Sequence, residues 1–429
     1  MSTLLVCPIC AQQYPRDEVR YRCRCGETLE VAYAPGDPRR SSASGGLFDA
    51  RRAARRGPDA SGTWRFRELL PPFADGEIVS KPEGNTNLYA VGARAGGGFG
   101  RIGAYAGLDI LYLKHEGENP TGSFKDRGMT VGVSQARRIG ARAVACASTG
   151  NTSASLAAYA AQAGLPCFVF IPAGAVALGK LAQTLGYGAI AVQVAGDFDT
   201  AMRLVQEVSA DLGIYLLNSI NPFRIEGQKT IGWELLQDLD WQVPDWLVLP
   251  AGNLGNTAAL GKALAEAQAL GLIARLPRIA AIQASGAAPF YQSYCAGFTA
   301  PVVVQAETVA TAIKIGNPVS YRRAVAVLRA TQGVVAAVDD AEILAAKAVV
   351  DAAGIGCEPA SAATLAGIRQ LVRNGTIPRD ATVAGILTGH LLKDPDTTLA
   401  ALPAGRQPLT AGADRQAVAA ALAPYLART

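Results

Sequence analysis

Lys125 is the side chain of this 429-residue chain whose neighbours best suit a nucleophilic amine. It lies within the run Asn-Pro-Thr-Gly-Ser-Phe-Lys-Asp-Arg-Gly at 119–128. Residues 109–114 before the run have the apolar pattern of a short strand, and residues 128–138 have the pattern of a helix. A lysine held at a strand-to-helix junction can lose its charge by burial and attack an aldehyde. The alternative is an ordinary surface lysine at a helix start.

Two other segments combine hydroxyl groups, amides and glycines just before a helical pattern. One is Ser-Thr-Gly-Asn-Thr at 148–152, and the other is Pro-Ala-Gly-Asn-Leu-Gly-Asn-Thr at 250–257. Backbone N–H groups at a helix N-terminus bind anions, and glycine lets the backbone approach a phosphate closely. The glycine spacing matches neither a dinucleotide fingerprint nor a Walker loop. Both segments are candidate anion sites, with simple helix capping and an ordinary turn as the alternatives.

These segments need a scaffold that brings strand ends together, and the rest of the chain predicts one. From residue 114 onward, short apolar runs without polar alternation are separated by helical segments. The runs lie at 141–147, 166–172, 189–194, 214–217, 245–250, 278–283 and 382–387. Such runs between helices are typical of parallel strands in a sheet that is covered on both faces. We therefore predict an α/β fold with parallel sheets.

The run at 119–128 closely resembles the pyridoxal-phosphate lysine motif of the threonine synthase family. That family belongs to the tryptophan-synthase-β-like, fold type II group of pyridoxal phosphate (PLP) enzymes. The loops at 148–152 and 250–257 and the segments 218–229 and 386–395 are similar to further motifs of the same family. The resemblance implies a two-lobed catalytic domain over residues 63–429, with a smaller lobe at about 130–216 set within the larger one.

The resemblance also implies the roles of individual cofactor-binding residues. Lys125 is expected to bind PLP covalently and, once released by substrate, to move protons at Cα and Cβ. Asn151 is expected to contact the phenolic oxygen of the cofactor, and Thr388 its pyridine nitrogen. The phosphate of the cofactor is assigned to the loop made of Gly252, Asn253, Leu254, Gly255 and Asn256.

Six further residues are assigned to the substrate by the same resemblance. They are Ser148, Thr149, Thr152, Asn218, Ser219 and Arg224. Arg224 suits a phosphate because its planar guanidinium can bind two phosphate oxygens at once. An isolated arginine here could equally pair with Glu226 or Asp238 on the surface.

The family reaction converts O-phospho-L-homoserine to threonine: phosphate leaves from Cγ and water adds at Cβ. Two positions depart from the family pattern. Asn87 stands where a proline usually follows the Glu-Gly-Asn-Thr turn at 83–86, and Leu391 stands where a glycine usually follows His390. His390 is as compatible with a structural role as with a catalytic one, and His115 receives no role.

Four of the eight cysteines lie near the N-terminus, as Cys7-Pro-Ile-Cys10 and Cys23-Arg-Cys25. Two such pairs, separated by the length of a hairpin, can complete a tetrahedral zinc site. A segment this short has little core, so a metal would supply much of its folding free energy. We predict a zinc-ribbon-like segment at 1–33 with structural zinc; disulfides and a knuckle that has lost its metal are the alternatives.

Composition adds constraints on partners and location. The net charge of +5 is too small to indicate a nucleic-acid partner, and no apolar run is long enough to predict a membrane helix. The first residues lack the pattern of a signal peptide, so we expect a cytoplasmic protein. Residues 34–62 are rich in Pro, Gly, Ser and Arg and predict a linker with one short basic helix. A homodimer is compatible with the sequence.

Three functions remain open from the sequence alone. The first is threonine synthase activity on a phosphorylated amino acid. The second is β-replacement on a related phosphorylated amino acid, as in cysteate synthase, whose substrate is one methylene shorter. The third is a protein that binds PLP or another ligand without turnover. The presence of Lys125 argues against this third function.

Overall fold

The structure is a computed structural model that describes residues 3–173, 178–196, 198–400 and 409–426. The strands are β1 (Thr3–Val6), β2 (Gln13–Pro15), β3 (Glu30–Tyr33), β4 (Leu88–Ala90), β5 (Ile110–His115), β6 (Ala143–Ala147), β7 (Cys167–Pro172), β8 (Ile190–Val194), β9 (Ile214–Leu216), β10 (Trp246–Pro250), β11 (Arg278–Ala284), β12 (Val334–Val338) and β13 (Thr382–Leu387).

The α-helices are α1 (Pro38–Ser41), α2 (Gly45–Arg51), α3 (Gly97–Ala106), α4 (Lys125–Arg138), α5 (Asn151–Ala163), α6 (Leu178–Gly186), α7 (Phe198–Leu212), α8 (Pro222–Gln228), α9 (Thr230–Asp238), α10 (Gly255–Ala269), α11 (Pro289–Cys295), α12 (Tyr321–Ala330), α13 (Asp340–Ala352), α14 (Pro359–Arg373), α15 (Pro395–Ala400) and α16 (Arg415–Leu426). Short 3₁₀ segments lie at Pro58–Ala60, Trp64–Leu69, Asp75–Glu77, Ala93–Ala95, Glu116–Glu118, Ser285–Ala287, Thr311–Ile313 and Leu391–Lys393.

The larger sheet has the strand order β12-β11-β10-β13-β5-β4. All of its pairs are parallel except the edge pair β4–β5. The strand β10 is apolar on both faces: Leu247 and Leu249 belong to the same buried cluster as Leu260 of α10, whereas Val248 belongs to a second cluster that contains Leu365 of α14. A strand buried on both faces needs no polar alternation, which explains the continuous apolar run in the sequence.

The smaller sheet has the order β8-β7-β6-β9, and its pairs are all parallel. On one face of β6, Val144 belongs to a buried cluster with Met129 of α4 and Leu156 of α5; on the other face, Ala145 belongs to a cluster with Val205 of α7. The α/β fold with parallel sheets predicted from the sequence is therefore confirmed. Each apolar run named above contains or overlaps one strand of the two sheets.

The edge elements were not predicted. β12, with the sequence Val-Val-Ala-Ala-Val, has a weak strand signal because alanine has little strand preference. β4 is only three residues long and gains its order from pairing with β5. Helix α4 also begins at Lys125, three residues earlier than its periodicity indicates.

Residues 34–62 differ from the predicted linker. They contain two short helices, α1 and α2, rather than one. Phe48 of α2 is fully buried, with its ring centroid 4.9 Å from that of Phe66. Arg51 forms two hydrogen bonds of 2.7 Å to the carboxylate of Glu68. One buried aromatic ring and one bidentate ion pair hold a segment whose composition alone suggests a solvated chain.

The N-terminal strands β1–β3 form an antiparallel sheet of order β2-β1-β3, here called the ribbon (residues 3–33). The ribbon contacts both larger units. Tyr21 accepts a hydrogen bond of 2.7 Å from the backbone N–H of Leu216 in β9. On the other side, Lys262 of α10 and Arg323 of α12 each donate 2.6 Å hydrogen bonds to backbone carbonyls of the ribbon.

Among the described residues, we find no helix that combines the length and the apolar character needed to cross a membrane.

Candidate active site

The site lies where the carboxyl ends of strands from the two sheets face each other. The run that carries Lys125 follows β5, the loop at 148–150 follows β6, the loop at 251–254 follows β10, and Thr388 follows β13. In open parallel sheets the carboxyl ends of the strands form the ligand-binding crevice. The topology thus brings together segments that are far apart in the chain.

Lys125 is the first residue of α4. The preceding residue, Phe124, donates a backbone hydrogen bond of 3.0 Å to the carbonyl of Thr388, and its ring centroid lies 4.0 Å from the Lys125 Nζ. Burial lowers the pKa of Lys125 from 10.5 to about 7; the charge of Arg224 acts in the same direction and that of Glu358 opposes it. A large fraction of the amine is therefore neutral near pH 7, as a nucleophile requires.

The residues on either side of Lys125 anchor the run. Asp126 accepts hydrogen bonds from the Thr121 N–H at 2.7 Å, the Thr121 hydroxyl at 2.6 Å and the Ser155 hydroxyl at 2.5 Å. Arg127 is fully buried and forms ion pairs with Glu116 at 2.7 Å and Glu234 at 2.9 Å. These contacts fix the backbone on which the Lys125 side chain is mounted.

The loop after β10 has the features of a phosphate cradle. Leu254 adopts φ +62°, a left-handed conformation that turns the chain into α10. The side-chain amide of Asn256 and the hydroxyls of Thr257 and Ser320 are buried and have no hydrogen-bond partner. Since buried polar groups are nearly always paired, these groups fit an anionic ligand that completes them. At Gly252 an added Cβ would lie 3.0 Å from the Ile313 Cα, so a side chain there would crowd the neighbouring loop.

Arg224 lies on α8 and is only 3 % exposed, and its Nε and Nη1 have no partner. Burial lowers its pKa to about 10, so the guanidinium stays charged at neutral pH. The surface pairing considered from the sequence is not found. Glu226 pairs with Lys229 and Lys262, and Asp238 pairs with Lys114 and Arg52. A buried guanidinium with free donors is costly unless an anion binds it.

The other residues assigned to the substrate differ in their surroundings. Ser148, Thr149 and Thr152 are half-buried around the start of α5, where the Ser148 hydroxyl accepts a 3.3 Å hydrogen bond from the Gly150 N–H. Ser219 is half-buried just before α8. Asn218 instead pairs its amide with both backbone groups of Ala147, at 3.0 and 2.9 Å. Its side chain therefore holds the loop at 148–150 in place.

Asn151 and Thr388 meet at a carboxylate that the sequence reasoning missed. Glu358, just before α14, is 4 % exposed. It accepts a hydrogen bond of 3.0 Å from the Asn151 Nδ2 and one of 3.4 Å from the Thr388 hydroxyl. Burial raises the pKa of Glu358, and hydrogen bonds together with the charges of Lys125 and Lys393 counter that rise.

Comparison with known proteins places this site in a family. A family model described as "Pyridoxal-phosphate dependent enzyme" matches residues 80–389. Threonine synthase of Methanosarcina acetivorans is 47 % identical over 400 residues, which cover 92 % of this chain and 93 % of the relative. Threonine synthase of Methanocaldococcus jannaschii is 44 % identical, with 94 % and 95 % covered.

The chain belongs to the threonine synthase family of PLP-dependent enzymes. Solved structures of more distant proteins share the fold. A threonine deaminase from Solanum lycopersicum aligns with a TM-score of 0.60 at 20 % identity, covering 72 % of this chain and 84 % of its own. Maize serine racemase aligns with a TM-score of 0.60 at 23 % identity, covering 71 % and 88 %.

The two departures from the threonine synthase pattern have local explanations. The backbone N–H of Asn87 donates a hydrogen bond of 2.7 Å to Glu118, which a proline could not do. Leu391 packs beside Gly356, where an added Cβ would lie 3.2 Å from the Leu391 Cβ. Gly356 has φ +72°, so the missing side chain there makes room for the leucine.

The two histidines of this chain, His115 and His390, make hydrogen bonds that are typical of structural residues. The Nδ1 of His115 accepts from the Gly117 N–H at 3.2 Å, and that of His390 accepts from the Leu392 N–H at 3.1 Å. Their rings are stacked with centroids 6.5 Å apart. Both imidazoles cap short turns around the run that carries Lys125.

Glu358 and Ser361 are the site residues that sequence reasoning missed. They lie in Glu-Pro-Ala-Ser at 358–361, at the start of the apolar helix α14. An acidic residue before a helix-starting proline looks like an ordinary helix terminus. The signal that could have distinguished Glu358 is the apolar sequence before and after it. A charged side chain between two buried segments is expected to face a cleft.

Proposed function

We propose that this protein is a threonine synthase, which converts O-phospho-L-homoserine and water to L-threonine and phosphate. Near-complete coverage of relatives with that activity supports the reaction class. The observation that carries the substrate assignment is Arg224, a buried guanidinium with two unpartnered nitrogens close enough to Lys125 to lower its pKa. A site with one fixed cation beside the reactive amine suits a substrate with an anionic leaving group.

The residues of the site fit PLP. The unpartnered groups of Asn256, Thr257 and Ser320 would hold the cofactor phosphate together with the backbone of residues 252–256. When bound, PLP withdraws electrons from the substrate carbon next to the amino group and so makes protons at Cα and Cβ removable. Thr388 would donate to the ring nitrogen and Asn151 to the phenolic oxygen. A hydroxyl at the ring nitrogen, unlike a carboxylate, does not keep that nitrogen protonated.

Lys125 would then be the proton carrier of the site. Its amine is buried and has a pKa of about 7, so it can both accept and return a proton near neutral pH. Arg224 would hold the substrate phosphate, with hydroxyls of Ser148, Thr149, Thr152 and Ser219 as neutral donors. Neutral donors assist binding while still allowing the phosphate product to leave.

The decisive experiment is product identification. Purified PLP-loaded protein incubated with O-phospho-L-homoserine should release threonine and phosphate in equal amounts. A parallel incubation with phosphoserine and sulfite serves as the control for the shorter substrate. Cysteate from the control mixture, with no threonine from the first, would contradict the proposal.

The attachment of the cofactor is tested separately. Borohydride reduction followed by peptide mapping should place the pyridoxyl group on Lys125, and Lys125→Ala should lose both the attached cofactor and turnover. A pyridoxyl group on another lysine would overturn the assignment.

We also propose that Cys7, Cys10, Cys23 and Cys25 bind one structural zinc ion. Their sulfur atoms all lie within 4.8 Å of one another, with Cys7–Cys25 and Cys10–Cys23 separations of 3.5 Å. A tetrahedral site with Zn–S bonds of about 2.3 Å needs sulfurs about 3.8 Å apart, so small adjustments suffice. The site lies in the ribbon, outside the catalytic crevice.

The proposed division of the chain is a ribbon at 1–33, a connecting segment at 34–62 and a catalytic domain at 63–429, with the smaller lobe at about 130–216. The two separate sheets, which are parallel except for the edge pair β4–β5, support the two lobes. We further propose a cytoplasmic location, because a reducing compartment would keep the four ribbon thiols available for zinc.

A further inference from the structure

Ser361, in the first turn of α14, has a hydrogen-bond pattern that determines where its own hydrogen points. Its hydroxyl oxygen accepts from the backbone N–H of Thr388 at 2.8 Å and from that of Gly389 at 2.9 Å. A serine oxygen has two lone pairs, so both acceptor positions are used. The Ser361 hydrogen must therefore be donated, and its nearer acceptor is the Thr388 hydroxyl at 2.9 Å, since the Gly389 carbonyl is 3.4 Å away.

The orientation of the Thr388 hydroxyl follows from that of Ser361. Because Thr388 accepts from Ser361, its own hydrogen is directed elsewhere, into the site. In this structure the hydrogen faces the Glu358 carboxylate, an acceptor 3.4 Å away. This distance is long for a hydroxyl donor, so the hydrogen remains available to a better-placed acceptor.

Glu358 sets the orientation of Asn151 in the same way. Asn151 presents its NH₂ group, rather than its amide oxygen, to Glu358: the Nδ2 donates a 3.0 Å hydrogen bond to the Glu358 Oε2. One N–H of the amide is then used, and the second is free for another acceptor. Gly389 makes this arrangement sterically feasible, because an added Cβ there would overlap the Glu358 carboxyl group.

We propose that Ser361 and Glu358 are positioning residues that fix Thr388 and Asn151 as hydrogen-bond donors toward the cofactor ring. The inference deepens the proposed function and rests on it for the two ring contacts. Neither residue need touch the reacting atoms; each acts through a neighbour. With the donor directions fixed before PLP arrives, the ring nitrogen meets a donor and so stays unprotonated, which favours elimination and replacement chemistry.

The test compares three variants of the full-length, PLP-loaded protein. Ser361→Ala removes the donor to Thr388, and Glu358→Gln keeps the size of the side chain while replacing the carboxylate. Thr364→Val is the matched control: Thr364 lies one turn further along α14 and its buried hydroxyl donates only to the Ile386 carbonyl, at 2.9 Å. The control thus loses a buried hydroxyl of the same helix without changing the site.

Two of the three readouts do not depend on turnover. PLP labelled with nitrogen-15 at the ring nitrogen reports its hydrogen bonding through its chemical shift, and a spectral titration measures the PLP Kd. We expect Ser361→Ala to move the nitrogen-15 signal away from the wild-type value. Both Ser361→Ala and Glu358→Gln should raise the PLP Kd about tenfold, the effect of losing one oriented hydrogen bond, and should lower kcat more than they change KM. Thr364→Val should match the wild type in all three.

Failure of the inference can be told apart from failure of the proposed function. If wild-type protein makes no threonine, the function fails, yet the nitrogen-15 signal and the PLP Kd still test the positioning role. If Ser361→Ala and Glu358→Gln fold like the control and keep the wild-type signal and a Kd within twofold, the inference is wrong. If Ser361→Ala does not fold, the PLP Kd of Glu358→Gln decides the outcome alone.

Discussion

At the scale of single residues, Lys125 is made reactive chiefly by burial, with help from a neighbouring cation. Its pKa of about 7 predicts that the apoprotein should attach PLP faster as the pH rises, because only the neutral amine attacks an aldehyde. The rate should level off just above pH 7, well below the ordinary lysine value of 10.5. Stopped-flow absorbance over a pH series measures this.

Arg224 contributes to that low value through its charge. In Arg224→Gln, the midpoint of the plot of PLP attachment rate against pH should therefore move to higher pH. Arg138→Gln is the matched control, since it removes the same charge from a partly exposed position at the end of α4. A midpoint near 10 in the wild type would contradict the burial argument.

Arg224 also leads to a prediction about specificity. Removing a buried charged donor to the substrate phosphate should cost about 2–4 kcal/mol of transition-state stabilisation, or roughly 30- to 1,000-fold in kcat/KM. PLP binding should survive in Arg224→Ala, because the cofactor phosphate would lie at a different helix terminus. Steady-state kinetics and a PLP titration separate the two effects. Loss of PLP, or unchanged turnover, would make Arg224 a structural residue.

The sequence predicted some of these residues better than others, for physical reasons. The proximity of Lys125, Asn151, Arg224 and Thr388 was expected from the resemblance of their segments to motifs of one family, and three of these residues, Lys125, Asn151 and Thr388, follow strand ends, where parallel sheets gather their loops. The hydrogen-bond partners of those residues were not inferred, because Glu358 and Ser361 are joined to them only by folding. For Asn218, the sequence does not show that its amide pairs with the backbone of Ala147.

At the scale of elements, α4 is held in place by its close contact with α8. An added Cβ at Gly227 of α8 would overlap the carbonyl oxygen of Arg127 and would lie 2.9 Å from the Gly128 Cα. Helix propensity alone predicts that Gly227→Ala stabilises the protein by about 1 kcal/mol. Steric overlap should reverse that sign and destabilise the protein by about 1–3 kcal/mol, with a further loss of turnover as Lys125 shifts.

Urea unfolding measures the stability change in Gly227→Ala. Gly46→Ala in α2 is the control, because an added Cβ there has no atom within 4 Å and should be neutral or slightly stabilising. Equal changes in the free energy of unfolding for Gly227→Ala and Gly46→Ala would show that the contact between α4 and α8 is looser than the backbone positions indicate.

The elements themselves were predicted where the apolar runs are long and were missed where pairing alone creates them. β10 and β13 are buried on both faces and have unbroken apolar sequences. β4 and the helices of residues 34–62 depend on partners elsewhere in the chain, so their local sequences carry a weak signal. The strand order of the sheets also could not be read from the sequence and was not predicted.

At the scale of the whole molecule, the ribbon and its cysteines support a stability prediction. Cys10→Ser or Cys25→Ser should remove the proposed zinc, lower Tm and make the ribbon (residues 3–33) more sensitive to proteolysis, because the ribbon loses its main source of folding free energy. Cys295→Ser, at another exposed cysteine, is the control. Metal analysis should find about one zinc per wild-type chain. No metal, with four titratable thiols in the ribbon, would refute the site.

The contacts of the ribbon have a consequence for how the protein is made. The ribbon is synthesised before its partners, and two of its hydrogen-bond partners come much later in the chain: Leu216, 195 residues after Tyr21, and Arg323, 295 residues after Thr28. At synthesis rates of about 5–20 residues per second, the second partner appears roughly 15–60 s later. The nascent ribbon must stay folded, or refold, without either docking surface. Four thiolates within residues 7–25 can capture a metal before the rest of the chain exists, so metal supply during translation should govern the yield of correctly assembled protein.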